Sequence, residues 1–205
     1  MSSAAQESRP FELIAGNPAL DLVNTLDWRF RDNGPEELLA GFDDLLRFAA
    51  QSEILTPKQI RQIVRTGSEA DAADALVACR ELREAAAQVF YAAVDSQTPP
   101  ASQIKIIERC FLQARHHQRL AWSGSHLVWE WLPSESSPDL PFWILSVSTA
   151  RLLLSDHMRL LRACEKPDCR WLFLDTSKNH TRRWCDMKIC GNRMKARRFK
   201  AQHRP

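Results

Sequence analysis

The 205-residue chain lacks most of the signatures that mark an enzyme or a membrane protein. It has no Gly-x-Ser-x-Gly elbow, no Gly-rich phosphate loop and no His-Glu-x-x-His pair, so the common hydrolase, nucleotide-binding and metalloprotease patterns are missing. His116, His117 and His126 make no metal spacing with nearby carboxylates. Nothing in the sequence argues for catalysis. The longest apolar stretch, from Phe142 to Leu154, is broken by Ser146, Ser148, Thr149 and Arg151 and is too polar to span a bilayer. The opening MSSAAQESRPFE has no apolar run behind a positive segment, so no secretory signal is expected. Internal repeats and low-complexity tracts are also missing. These absences together point to a soluble, cytoplasmic protein with no membrane partner.

What is present is an ordinary globular balance with an uneven charge. Apolar residues make up 44% and charged residues 26%, enough to build a packed core without disulfides. From Arg151 onward there are 15 Lys and Arg against 5 Asp and Glu, while the first 150 residues hold 13 against 20. A mildly acidic body with a strongly basic end is the asymmetry of a chain that meets a polyanion at one end; a solvated tail is the other reading.

Residues 1–9 are small and polar and are expected to be disordered. Leu20, Val23 and Leu26 recur every three residues after Asn17-Pro18, which predicts a first helix capped near Asn17. Apolar positions from Glu36 to Gln51 form a helical stripe. Thr56-Pro57 opens another helix, to Arg65. Glu69 to Val94 has no Gly or Pro and is rich in Ala, Leu, Glu and Arg, which predicts a long helix. A further helix is expected from about Ser102 to His116. Arg119 to Trp122 and His126 to Trp131 flank Ser123-Gly124-Ser125 and read as a β-hairpin. Phe142 to Leu161 reads as an amphipathic helix. The fold class is therefore mainly α with a small β-hairpin (α+β), a helical N-terminal domain over 10–160 followed by a small four-cysteine zinc finger over 161–205.

Four of the six cysteines fall within 27 residues as Cys164-x4-Cys169-x15-Cys185-x4-Cys190. Without a secretory route, clustered cysteines are metal ligands rather than disulfides. Two short-spaced pairs joined by a loop can wrap a tetrahedron of thiolates around one structural Zn2+, and a closed shell of four thiolates leaves no position for substrate. Pro167 and Asp168 suit the first knuckle's turn, and Gly191 suits a second knuckle that needs positive φ. His180 is a conceivable substitute ligand. Cys79 and Cys110 stand alone in helical segments and are assigned to the core. So small a segment cannot bury its own core, and metal would supply on the order of 10 kcal/mol of folding energy.

Around these ligands stand Lys178, Arg182, Arg183, Lys188, Arg193, Lys195, Arg197, Arg198, Lys200 and Arg204. Asn192 to Gln202 suits a helix, on which Arg193, Arg197, Lys200 and Arg204 share one face. A row of guanidinium groups fits a groove of double-stranded DNA or the phosphates beside it. Lys178, Arg182, Arg183, Arg193, Lys195, Arg197, Arg198 and Lys200 are the candidate DNA contacts. A solvated basic face, or a contact with the acidic N-terminal body, is the alternative.

The stretch from Cys164 to Phe199, CEKPDCRWLFLDTSKNHTRRWCDMKICGNRMKARRF, resembles the CGNR zinc finger, whose name-giving tetrapeptide stands here as Cys190-Gly191-Asn192-Arg193. The segment GNPALDLVNT, Gly16 to Thr25, is similar to the opening of the ABATE domain. The resemblance implies a bacterial-type, stress-induced transcription regulator, with zinc on Cys164, Cys169, Cys185 and Cys190 and a finger that binds DNA. Asp21, Asn24, Asp27 and Arg29 lie in or beside an apolar run. They suggest either a pocket for a small-molecule effector or a buried network that caps helix ends. The N-terminal domain could equally serve a homodimer. Two other readings stay open: a zinc-stapled protein–protein interaction module, and an RNA binder that stacks bases on Trp171, Phe173 or Trp184.

Overall fold

The computed structural model describes residues 10–132 and 136–202, without the side chains of Arg198, Lys200 and Gln202. The segment 1–9 and Arg204 lie outside the described residues.

The fold is mostly helical, with three two-stranded antiparallel hairpins among the described residues. Helix α1 (Pro18–Asn24) starts where the sequence places it: the Asn17 side-chain oxygen accepts the Ala19 N–H at 2.9 Å, and Pro18 takes the first position, where its missing N–H costs nothing. β1 (Leu26–Asp27) and β2 (Glu36–Glu37) then pair, Leu26 opposite Glu37. The helix expected from Glu36 begins only with α2 (Phe42–Gln51). Glu37 is held instead by a bidentate pair to the buried Arg83, at 2.6 and 2.7 Å. Asp44 accepts the Gly41 N–H at 3.0 Å and fixes the later start.

α3 (Pro57–Thr66) opens on a reciprocal cap, with Gln59 N–H donating to the Thr56 hydroxyl and Thr56 N–H donating to the Gln59 side chain, which satisfies two otherwise orphaned donors. α4 (Glu69–Val94) keeps the predicted limits, and α5 (Ala101–His116) starts one residue early. β3 (Gln118–Trp122) and β4 (Leu127–Trp131) form the expected hairpin, with Leu120 opposite Trp129 and Trp122 opposite Leu127. α6 (Leu140–Leu153) is shorter than expected. Ser155 ends the run: its hydroxyl accepts the His157 N–H and starts a separate 3-10 turn over Asp156–Leu160. After that turn the chain forms β5 (Leu161–Ala163), paired with β6 (Leu172–Leu174), a hairpin the sequence pattern does not announce. A π turn (Met187–Gly191) leads into α7 (Asn192–Gln202).

Two buried clusters meet at α4. One joins α2, α3, α4, α5 and α6 around Phe48, Leu82, Phe142 and Trp143, and contains Cys79 and Cys110. The other joins Ala19, Leu20 and Val23 of α1 and Ala86, Ala87 and Phe90 of α4 to Trp171, Phe173 and the four clustered cysteines. Alanines on α4 let the C-terminal segment approach closely. The change of sequence character near residue 160 is thus crossed by a continuous core. No helix among the described residues is long and apolar enough to cross a membrane.

Candidate metal centre and basic helix

The two knuckles are built by local turns. In the first, the N–H groups of Cys169 and Arg170 both donate to the Lys166 carbonyl, at 3.0 and 3.1 Å. Arg170 takes the left-handed φ of 49° that closes the turn. In the second, Asp186 caps the turn, accepting the Ile189 N–H on its carboxylate at 2.8 Å. Its carbonyl receives Cys190 and Gly191 at 3.0 and 3.1 Å. Gly191 does not adopt positive φ, contrary to expectation; the glycines that do are Gly16, Gly34 and Gly124. A Cβ on Gly191 would lie 2.3 Å from the sulfur of the half-exposed Met187, whose side chain would have to move, and 3.1 Å from the Trp184 ring. A main-chain bond from Glu165 N–H to the Arg183 carbonyl, 3.0 Å, ties the knuckles together.

The result brings Cys164, Cys169, Cys185 and Cys190 together, all buried, with sulfur atoms within 4.8 Å of one another. The Cys169–Cys185 and Cys185–Cys190 sulfur separations are 3.7 and 3.5 Å. Zn–S bonds of about 2.3 Å in a tetrahedron put sulfurs about 3.8 Å apart, whereas a disulfide needs about 2.05 Å. The geometry fits one structural zinc held by four thiolates. Crowding drives the thiols apart in acidity: hydrogen bonds from Cys169 and Cys185 pull Cys164 down, while those from Cys164 and Cys169 push Cys185 up. A divalent cation satisfies all four at once. His180 is not among the side chains that gather at the site, which among the described residues are the four cysteines; its Nδ1 lies 2.8 Å from the Asp175 carbonyl.

The loop between the knuckles is organised by Asp175, fully buried. Its carboxylate accepts the Ser177 N–H and hydroxyl on one oxygen and the Arg182 N–H on the other. Burial works to raise its pKa, and the bonds from Ser177 and Arg182 outweigh it, leaving the carboxyl below its ordinary range. Sequence reading missed this residue, although an Asp two positions before Ser is an Asx-turn signal.

The residues proposed for a ligand pocket serve elsewhere. Asn24 clamps β6: its side chain donates to the Leu172 carbonyl and accepts the Leu172 N–H, both at 3.0 Å. Asp27 accepts the Trp171 indole N–H at 2.9 Å. Asp21 accepts the Ala15 N–H at 3.0 Å, and burial, opposed by the bonds from Ala15 and Ile14, raises its pKa to about 6. Arg29 pairs with Glu84 on α4. Asn24 and Asp27 are therefore the joint between body and finger, while Asp21 and Arg29 bond within the body. On the other side Tyr91 donates to the Arg170 carbonyl at 3.1 Å, and Arg170 pairs with Asp95. Leu174 N–H donates to the Ala15 carbonyl at 2.8 Å.

The candidate DNA contacts fall into three groups. Arg182 is structural: its guanidinium lies 4.2 Å over the Phe173 ring and donates to the carbonyls of Trp184 and Cys185. Arg183 is exposed but pairs with Glu165. Lys178, Arg193, Lys195 and Arg197 are exposed, the last three on α7, which packs chiefly on the π turn behind it. Arg198 and Lys200 belong to α7, and their side chains lie outside the described residues. Trp171 and Phe173 are buried, so neither is a platform for stacking bases.

Comparison with known families agrees with this layout. Residues 160–203 match the CGNR zinc finger. Residues 16–156 match the ABATE family, described as "Putative stress-induced transcription regulator". No curated protein matches the chain. The second match spans more than half of the sequence, and the chain belongs to the ABATE family, with a CGNR zinc finger following the family's domain.

Proposed function

We propose that this protein is a DNA-binding transcription regulator that acts by binding rather than by catalysis, and that α7 is its duplex-contacting element. One observation carries the reading: Arg193, Lys195 and Arg197 are exposed on a helix without a single acidic residue, anchored directly to the fourth cysteine of the metal centre. Among the described residues none of these three is in an ion pair. Arg193 and Lys195 are left for an external anion. Arg197 shares its charge with Asp168, which the Lys166 bond and then Arg197 hold below its ordinary range. The four-thiolate centre supplies rigidity rather than reactivity. A rigid row of guanidinium groups positions itself on phosphates and can present bidentate donors to guanine edges.

The test is duplex DNA affinity of the full chain across a salt series, because body and finger share one core. Affinity should fall steeply with salt, and Arg193→Ala with Arg197→Ala should reduce the logarithmic salt slope by about 2. Arg183→Ala should act less, since Glu165 already neutralises that side chain. Binding of duplex without salt dependence, or unchanged by the α7 substitutions, removes α7 as the contact. Capture of single-stranded RNA in preference to duplex would move the function to RNA.

A further inference from the structure

A cleft of about 470 Å3 lies between the β3–β4 hairpin and the outer face of α6, and none of the four clustered cysteines lines it. Its apolar wall is Trp129 and Trp131 with Ile144 and Val147; its polar groups include Gln118, Ser148, Arg151 and His157. No carboxylate of the described residues lines it. Arg151 is exposed and in no ion pair among the described residues. Arg109 and Arg119 are paired with Glu81 and Glu130, whereas Arg31, Arg61, Arg65 and Arg159 are exposed and outside the ion pairs of the described residues, as Arg151 is. Arg151 differs from them in standing at the rim of a cleft walled by tryptophans.

The wall is set before any ligand arrives. The Arg115 guanidinium stacks on Trp129 at 3.7 Å and donates to the Gln118 side chain at 2.5 Å. Trp131 stacks on Trp143, which in turn stacks on His117 at 3.8 Å. The Gln118 carbonyl oxygen is thereby occupied, leaving its amide hydrogens as donors. Rigid aromatic walls with converging donors and no acceptor charge select a planar apolar body bearing an anion.

We infer that this cleft binds a small aromatic carboxylate, its ring against Trp129 and Trp131 and its carboxylate on Arg151, with the Gln118 amide as a further donor. The site is also placed to influence the finger. Asn17 lines the cleft and is bonded to Ser148, two residues after Ala15, whose carbonyl holds β6. His157 lies on the turn that runs directly into β5. Occupancy would therefore stiffen both chain segments that seat the finger on the body.

The full-length, zinc-loaded protein is titrated with benzoate, salicylate and indole-3-acetate, with benzyl alcohol as the neutral control, by calorimetry and tryptophan fluorescence. At least one carboxylate should bind with a Kd below about 5 mM, and benzyl alcohol about tenfold more weakly or worse. Arg151→Gln, a surface change that leaves the core intact, should weaken the carboxylate about tenfold. Trp129→Ala should do the same, and Arg193→Ala should leave it unchanged. The proposal is overturned if none of the three carboxylates reaches that affinity, if benzyl alcohol binds as well, or if Arg151→Gln binds like the wild type. None of these readouts involves DNA, so they stand apart from the fate of the proposed function.

Discussion

Two of the hairpins make an instructive pair. β3–β4 has five-residue strands whose large side chains are widely exposed, Trp122 at 66% and Leu127 at 61%. β5–β6 has three-residue strands, and every residue of β6 is buried. The first is closed by its own turn and its own cross-strand pairs. The second is too short to persist alone and exists because three things converge on it: the metal knuckle that brackets it, the Asn24 clamp, and the Ala15 carbonyl. One hairpin is a local structure; the other is a product of tertiary organisation.

Breaking the metal should have the largest effect. Cys185→Ser removes one of four thiolates, and the folding energy of a structural zinc, on the order of 10 kcal/mol, is comparable to the stability of a whole domain. Because the cysteines share a core with α1 and α4, the loss should reach the body as well. Zinc content should fall below one per chain and the main thermal transition should drop by many degrees. A finger that unfolds while the body's transition stays put would show two independent units.

Next in size is the clamp. Asn24→Ala strips partners from the buried N–H and carbonyl of Leu172, and at about 1–3 kcal/mol for each orphaned group chemical denaturation should show a loss of about 2–5 kcal/mol. Zinc content should be retained, which separates docking from metal binding. A loss below about 0.5 kcal/mol would mean that β6 is held without Asn24.

The pH dependence comes third. Burial raises the Asp21 carboxyl from 3.8 to about 6 in the folded chain, so the folded state favours the protonated form. The associated stability is present below about pH 4 and is lost as pH rises through about 6, a change on the order of 3 kcal/mol. Asp21→Asn should remove it, so the variant should gain on the wild type between those pH values when unfolding is measured in urea. Parallel pH curves for the two proteins would refute the buried-acid account.

The exposed hairpin should respond least. Trp122→Ala at its tip should shift stability by no more than about 0.5 kcal/mol in the same denaturation experiment. A shift as large as that of Asn24→Ala would erase the contrast between the two hairpins.

The same contrast explains what the sequence discloses. The limits of α4, the Thr56 cap, the β3–β4 hairpin and the spacing of the four cysteines are local signals, written in neighbouring residues. β5–β6 is invisible because a three-residue apolar strand has no period to detect. The role of Asn24 is hidden because its partner, Leu172, is 148 residues away. Polar residues at 21, 24 and 27 announce that something specific happens in the apolar run, but not whether a ligand or a backbone meets them. Arg182 looked like its neighbours in a basic string; only the position of Phe173 under its guanidinium shows that it braces the finger. Ser155 carried a start signal inside a helical pattern, which the apolar periodicity around it concealed.

The most direct test of the account is duplex affinity of one full-length sample measured before and after a chelator removes zinc. The account predicts tight, salt-sensitive binding by the zinc-loaded protein, loss of that binding with the metal, and recovery when one equivalent of zinc is restored. Equal affinity in the two states, with no zinc in the first, would contradict the claim that a four-thiolate centre holds the basic helix in place.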